Sequence, residues 1–187
     1  CGTSRRQAGR QLMCGFTAIV DLRDRRQIDR STLERMNHLI AHRGPDGHGF
    51  HFAAGIGFGH RRLSIIDLEG GAQPLFNEDR SVVITFNGEI FNFAGLAAEL
   101  AALGHVFATR SDTEVIVHAW EEWGPKCLDR FNGMFAFALW DARTETLFLA
   151  RDRLGVKPLF YSLTPDGYLV AGSELKAVVA HPAVQRR

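Results

Sequence analysis

Two strongly apolar segments in the last third of the chain constrain its fold more than any other feature. Residues 134–140 and 147–150 are almost continuously apolar, and two further apolar segments follow at residues 158–162 and 168–171. Strands with apolar side chains on both faces have to be covered on both faces. Two sheets that stack face to face provide this cover if helices pack on their outer sides.

The rest of the sequence contains the strands and helices that such an arrangement needs. Alternating or apolar segments predict strands at residues 16–22, 48–52, 55–60, 63–67 and 82–86. Helical spacing predicts a helix that Asp29 or Ser31 caps, and further helices at residues 93–103 and 113–123, each apolar on one face. We therefore predict an α+β fold: a four-layer αββα sandwich with mainly antiparallel sheets.

Length and composition favour one globular domain. The chain has 187 residues, of which 45% are hydrophobic and 23% charged, as in ordinary globular proteins. Its 22 Lys and Arg residues balance 21 Asp and Glu residues, so we expect neither nucleic acid nor membrane as a partner. The three cysteines form no CxxC pair and no even set, which argues against disulfides and favours a cytoplasmic location.

A cysteine follows a methionine directly before the first predicted strand, in Met13-Cys14-Gly15. If Cys14 were the first residue, it would carry a thiol nucleophile and a free α-amine that can act as its base. The preceding residues are rich in Arg, Gln, Gly and Ser and read as an unstructured extension. We expect residues 1–13 to be a propeptide or to lie upstream of the true start, and residues 14–187 to form the domain.

Two polar segments lie in or beside the early strands. In HRGPDGHG (residues 42–49), Gly and Pro predict a rigid loop in which Arg43 and Asp46 satisfy local backbone groups. In GHRRLSIIDL (residues 59–68), Arg62 lies on a strand, where a guanidinium suits two-pronged binding of a substrate carboxylate. An ordinary surface ion pair is the alternative for Arg62.

Three further segments have both a structural and a chemical interpretation. Asn87-Gly88 in FNGEIFN is either a hairpin turn or a pair of oxyanion-hole donors. In SDTE, Ser111 can cap the following helix with Glu114 closing a capping box, while Asp112 remains available to a substrate ammonium group. The charged side chains of ARDRLGVKPLFY (residues 150–161) form either a charge network on a turn or an interface to another domain.

Together and in this order, these segments resemble the glutamine-hydrolysing domain of class II amidotransferases, in the N-terminal-nucleophile hydrolase superfamily. The resemblance extends from Cys14 to about Lys176. Within that family, HRGPDGHG, FNGEIFN and ARDRLGVKPLFY look like asparagine synthetase rather than glucosamine-phosphate synthase or phosphoribosyl amidotransferase. The αββα fold that the resemblance implies agrees with the four layers predicted above.

The resemblance also implies catalytic roles. Cys14 matches the family's nucleophile, and its own α-amine matches the general base. Asn87 and Gly88 match the positions of the oxyanion hole. The implied reaction is hydrolysis of glutamine to glutamate and ammonia through a thioester on Cys14, with no metal and no cofactor in this half-reaction.

The resemblance further implies how L-glutamine is bound. Arg62 matches the residue that holds the α-carboxylate, while Glu89 and Asp112 match those that contact the α-amino group. Leu63 and Ile65 match positions that line the same pocket.

The family's synthetase domain, with its pyrophosphate loop, has no counterpart in these 187 residues. We expect the chain to be the amino-terminal part of a larger enzyme, whose carboxy-terminal domain would use ATP and Mg²⁺ to activate aspartate for amidation to asparagine. The sequence also leaves open whether the enzyme forms a homodimer.

Three other interpretations remain open. The chain could be a catalytically silent docking or regulatory domain, or belong to a relative that amidates a different carboxylate. It could also be a metal hydrolase that uses His42, Asp46, His48, His51 and His60, although their spacing matches no standard helical zinc motif.

Overall fold

The computed structural model describes residues 13–63 and 71–185, which form two antiparallel sheets. Their strands are β1 (Gly15–Asp21), β2 (Gly47–Ala53), β3 (Ile56–Arg62), β4 (Leu75–Phe76), β5 (Val82–Ile90), β6 (Gly133–Asp141), β7 (Thr146–Arg151), β8 (Phe160–Leu163) and β9 (Tyr168–Gly172). One sheet has the order β2-β3-β1-β9-β8 and the other the order β4-β5-β6-β7.

The helices lie on the outer sides of these sheets. They are α1 (Arg30–Leu39), α2 (Phe93–Ala102), α3 (Asp112–Trp123) and α4 (Leu175–Val178), and a 3₁₀ helix follows α3 at Gly124–Asp129. Asp29 caps α1, because its carboxylate accepts the backbone N–H groups of Ser31 and Thr32. No helix among the described residues is long and apolar enough to cross a membrane.

Three apolar clusters define four layers. The middle cluster joins β1, β3 and β9 of one sheet to β5 and β6 of the other, and includes Phe16, Phe58 and Ala138. A second cluster packs α1 and α4 against the five-stranded sheet. The third packs α2, α3 and the 3₁₀ helix against the four-stranded sheet. The predicted αββα sandwich is therefore confirmed, and strands such as β6 contribute apolar side chains to clusters on both faces.

The end of β5 differs from the prediction. The predicted strand stopped at Phe86, but β5 continues through Asn87 and Gly88 to Ile90. Gly88 pairs with Phe135 of β6, and a Cβ atom on Gly88 would lie 2.3 Å from the carbonyl oxygen of Met134. The hairpin-turn interpretation of Asn87-Gly88 is therefore wrong, because pairing with β6 overrides the local turn preference.

Other boundaries agree with the predictions to within a few residues. The sequence did not predict the two-residue strand β4, the 3₁₀ helix or α4, which are all short. The strand predicted at residues 63–67 lies outside the described residues except for Leu63.

Candidate active site

The predicted site residues that the structure describes lie where the two sheets and α3 meet. Six of the eight line one pocket: Cys14, Arg62, Leu63, Gly88, Glu89 and Asp112. Asn87 lies next to them in β5 but does not line the pocket, and Ile65 lies outside the described residues. The pocket thus combines the start of β1, the end of β3, the end of β5 and the first turn of α3.

Cys14 lies directly before β1 and has a free, partly buried thiol. Successive side chains of a strand point to opposite faces, so Cys14 shares a face with Phe16 in the cluster between the sheets. The backbone N–H of Leu63 donates to Cys14 Sγ at 3.3 Å. This contact holds the thiol beside the end of β3.

Arg43 also contacts Cys14. Its Nε donates to the Cys14 carbonyl oxygen at 3.0 Å, and its Nη1 lies 3.2 Å from Glu174 Oε1. A Cβ atom on Gly15 would lie 2.9 Å from Arg43 Cδ, so glycine leaves room for this side chain to cross β1. Arg43 therefore does satisfy a backbone carbonyl, but one that is 29 residues away rather than local. The sequence did not single out Glu174.

Asn87 is fully buried, and its Nδ2 has no hydrogen-bond partner among the described residues. The alternation along β5 puts its side chain on the same face as Val83, in the cluster between the sheets. A buried donor without a partner lowers the free energy of unfolding by about 1–3 kcal/mol, so its presence requires an explanation. An acceptor supplied by a ligand is such an explanation.

The backbone of Phe86, the residue directly before Asn87, is held at both its carbonyl and its N–H group. His60 Nε2 lies 3.1 Å from the carbonyl oxygen of Phe86, and the Phe86 N–H donates to Gln73 Oε1 at 2.6 Å. Burial lowers the pKa of His60 to about 4, so the imidazole is neutral and its Nε2–H donates to Phe86. Both His60 and Gln73 line the pocket, although sequence reasoning gave neither a role in binding glutamine. The available signal in the sequence was a polar side chain inside the predicted strand at residues 55–60, for His60, and a polar side chain directly before Pro74, for Gln73.

The first turn of α3 reaches the pocket through Asp112. Its Oδ2 accepts the Ile90 N–H at 3.0 Å, which ties α3 to the end of β5. Burial raises the pKa of Asp112 in spite of this hydrogen bond. A carboxylate in this position can accept a hydrogen bond from an ammonium group in the pocket.

The capping of α3 matches the prediction only in part. Ser111 is the N-cap residue, and its hydroxyl accepts the Thr113 N–H. Glu114 does not close a capping box: it accepts the N–H groups of Ala108 and Thr109, each at 2.7 Å. Glu114 therefore fixes the loop that leads into Ser111 and Asp112.

The charged segment at residues 150–157 mainly organises its own loop and the approach to Cys14. The Asp152 carboxylate accepts three backbone N–H groups, including that of Lys157. Lys157 is buried, and its Nζ lies 3.0 Å from Met13 Sδ. Burial, and then the charge of Arg43, lower the pKa of Lys157. This lysine thus places its ammonium group against the side chain of Met13, the residue before Cys14.

The five residues of the metal-hydrolase interpretation do not converge. His42 Nε2 lies 2.8 Å from Glu174 Oε1, His60 donates to Phe86, and His51 packs edge-to-face against Phe76. Within residues 13–63 and 71–185, no metal-binding group of three includes any of them.

Comparisons with known proteins show which proteins this chain is similar to. Bacillus subtilis (strain 168) asparagine synthetase (glutamine-hydrolysing) 3 is 44% identical over 178 residues, which cover 94% of this chain and 29% of that protein. Asparagine synthetase (glutamine-hydrolysing) 2 of Oryza sativa subsp. japonica is 43% identical over 166 residues, covering 89% of this chain and 28% of that protein. The chain thus spans little more than a quarter of the length of these relatives.

A solved structure shares the fold at lower sequence identity. The glutamine phosphoribosylpyrophosphate amidotransferase of B. subtilis superposes with a TM-score of 0.73 at 22% identity, over 93% of this chain and 45% of that chain. The family pattern described as "glutamine amidotransferase domain" matches residues 13–187. On this match, together with the fold, the chain is a member of the glutamine amidotransferase domain family.

Proposed function

We propose that this chain hydrolyses L-glutamine to glutamate and ammonia, and that the longer protein uses the ammonia to amidate aspartate to asparagine. The observation that carries the proposal is that the nucleophile, the oxyanion donors and the charged binding residues lie around one pocket. Cys14 directly precedes β1 of one sheet, and Gly88 and Glu89 belong to β5 of the other, next to the amide of Asn87, which has no partner among the described residues. The names of the similar proteins support the choice of glutamine and aspartate.

In the proposed reaction, the α-amine of Cys14 takes the thiol proton, and the thiolate attacks the side-chain carbonyl carbon of glutamine. Asn87 Nδ2 and the Gly88 N–H stabilise the negative oxygen of the tetrahedral intermediate. The C–N bond then breaks as the α-ammonium returns the proton to the leaving nitrogen, which departs as ammonia. Water attacks the resulting thioester and releases glutamate, and the thiol of Cys14 is restored.

Substrate binding in this proposal uses the charges around the pocket. Arg62 pairs with the α-carboxylate of glutamine, while Glu89 and Asp112 accept hydrogen bonds from its α-ammonium group. Leu63 lines the pocket beside Arg62, and Ile65 is assigned the same role by resemblance alone.

The α-amine is a base only if the peptide bond before Cys14 is absent. The proposal therefore requires removal of residues 1–13, or translation from Met13 followed by its removal. Ammonia would pass to a synthetase domain of the same polypeptide, which we expect to require ATP and Mg²⁺. A cytoplasmic location and a homodimer are part of the same proposal.

Labelling with a glutamine-like diazoketone tests the proposal, with mass spectrometry to locate the label. We expect one label, on Cys14, in protein whose intact mass begins at that residue. Cys127 is an internal control, because burial raises the pKa of its thiol to about 12 and keeps it unreactive. Retention of residues 1–13 without labelling would instead support a silent docking module. Full-length protein that forms ammonia from glutamine but does not amidate aspartate would point to another acceptor.

A further inference from the structure

Two histidines and a glutamate form a cluster on the outer side of the four-stranded sheet, outside the pocket. His118 and Glu121 lie one turn apart on α3, and His105 lies in the loop after α2. One nitrogen or oxygen atom from each side chain lies within 4.8 Å of the other two. His118 is almost fully buried, with 1% of its surface exposed.

The distances within this cluster are close to those of a metal site. His118 Nδ1 lies 2.9 Å from Glu121 Oε2, and His105 Nδ1 lies 3.9 Å from the same oxygen. Ligand atoms around a tetrahedral zinc ion are about 3.3 Å apart, given bonds of about 2.0 Å. Small side-chain adjustments would therefore bring the three atoms around one ion.

The second nitrogen of each imidazole faces a carboxylate, as it does in many zinc sites. His105 Nε2 lies 3.3 Å from Glu122 Oε2. His118 Nε2 is buried without a hydrogen-bond partner in the described part of the chain, and it faces Glu114 at 3.8 Å and Glu78 at 4.0 Å. In this arrangement the Nε2–H groups face carboxylates, and both Nδ1 atoms lie on the side of Glu121 Oε2. His118 Nδ1 is hydrogen-bonded to that oxygen, so a bound ion would take the place of the hydrogen between them.

Glu121 is also oriented for this role. Its Oε1 accepts from Asn77 Nδ2 at 2.7 Å and lies 3.4 Å from Arg143 Nη1, so its Oε2 is the oxygen that faces the histidines. The charged groups around the cluster are the carboxylates of four glutamates and the guanidinium of Arg143. The glutamates are Glu78, Glu114, Glu121 and Glu122. This excess of negative charge favours a bound cation.

We propose that His105, His118 and Glu121 bind a late first-row divalent ion, Zn²⁺ or one of similar chemistry, through Nδ1, Nδ1 and Oε2. Two imidazoles and one carboxylate suit such an ion, whereas Mg²⁺ and Ca²⁺ prefer oxygen ligands. The ion joins the loop after α2 to α3 and takes no part in glutamine hydrolysis. Sequence spacing does not indicate this site, because His105 and His118 are 13 positions apart and only the fold brings them together.

Cobalt spectroscopy tests the proposal. Purified Cys14→Ala protein is treated with a chelator and titrated with Co²⁺, so that the reactive thiol cannot compete for the metal. We expect one equivalent to bind with visible d–d absorption and without the near-ultraviolet band of a cobalt–thiolate bond. Adding His105→Ala or Glu121→Gln should abolish this absorption. Glu122→Gln should weaken binding by about 10- to 100-fold, as when an outer carboxylate is lost.

His181→Ala is the matched control, because His181 is also buried but packs against Tyr168 on the other side of the molecule. It should bind Co²⁺ as the parent does, and Zn²⁺ should raise the Tm of both proteins. No stoichiometric binding, or equal binding by the His105 and Glu121 variants, would overturn the proposal. A pH-dependent Tm without cobalt absorption would also overturn it, since His118 would then bind only a proton.

Discussion

His60 donates its Nε2–H to the carbonyl oxygen of Phe86 at 3.1 Å, and this hydrogen bond joins β3 of one sheet to β5 of the other. The accepting residue, Phe86, directly precedes Asn87 in the chain. The hydrogen bond therefore fixes the position of the residue that we propose as an oxyanion donor. It also buries an imidazole in its neutral form, which has a measurable consequence.

The first prediction is that His60 makes the folded state sensitive to mild acid. Its pKa is about 4 in the folded protein and 6.5 in an ordinary environment, so the unfolded chain binds the extra proton first as pH falls. The free energy of unfolding should decrease by about 3 kcal/mol between pH 6.5 and pH 4 on this account. Urea titrations at several pH values measure this change.

His60→Gln is the matched variant for this experiment, since the glutamine amide can also donate to Phe86 but does not titrate. It should show a smaller decrease over the same pH range. His51 and His181 have lowered pKa values as well, but they are present in both proteins and cancel in the comparison. Equal pH dependence of the two proteins would contradict the prediction.

The second prediction concerns Asn87→Ala. Loss of one oxyanion donor should lower kcat for glutamine hydrolysis by about 10²- to 10³-fold, with a much smaller change in KM. The variant should lose little stability, because removal of an amide nitrogen that is buried without a partner among the described residues offsets the cost of the cavity that alanine leaves. Steady-state ammonia release and thermal unfolding measure the two effects. A stability loss with unchanged kcat would show that Asn87 is only structural.

The third prediction compares two glycines. Gly88→Ala places a Cβ atom 2.3 Å from the Met134 carbonyl oxygen, so β5 and β6 have to separate locally and Tm should fall by many degrees. Gly95→Ala is the control, because no described atom beyond its chain neighbours and the nearby backbone of α2 lies within 4 Å of its added Cβ. Since Gly95 lies inside α2, alanine there should stabilise the protein by about 0.5–1 kcal/mol. Equal Tm values for the two variants would contradict the register of β5 and β6.

The fourth prediction concerns substrate recognition by Asp112. Asp112→Asn can still accept the Ile90 N–H, so the fold should be retained, but it loses the charge that we propose to pair with the ammonium group of glutamine. KM for glutamine should rise by about 10- to 100-fold, as for a lost hydrogen bond to a charged group. Steady-state kinetics measure this change.

Glutaramate, which is glutamine without its α-amino group, is the chemical control for Asp112. The parent and Asp112→Asn proteins should process it with similar kcat/KM. A large difference between the proteins with glutaramate would mean that Asp112 acts on something other than the ammonium group.

The sequence by itself determined the layers of the fold. Residues 134–140 are apolar at every position, and such a segment has to be buried on both faces wherever it lies. The helices at residues 93–103 and 113–123 are apolar on one face and can only cover a sheet from outside. These conclusions depend on short-range periodicity, which the chain displays directly. The resemblance then selected six residues that the structure finds around one pocket.

Only the tertiary structure decided which distant groups meet. Asn87-Gly88 has the composition of a turn, yet pairing with β6 keeps it in a strand. Glu114 has the spacing of a capping box, yet two N–H groups of the preceding loop occupy its carboxylate. Arg43 reaches the Cys14 carbonyl from a loop 29 residues away. The physical reason is that periodicity shows which face of a helix or strand is buried, whereas strand register and sheet stacking decide which residues contact that face.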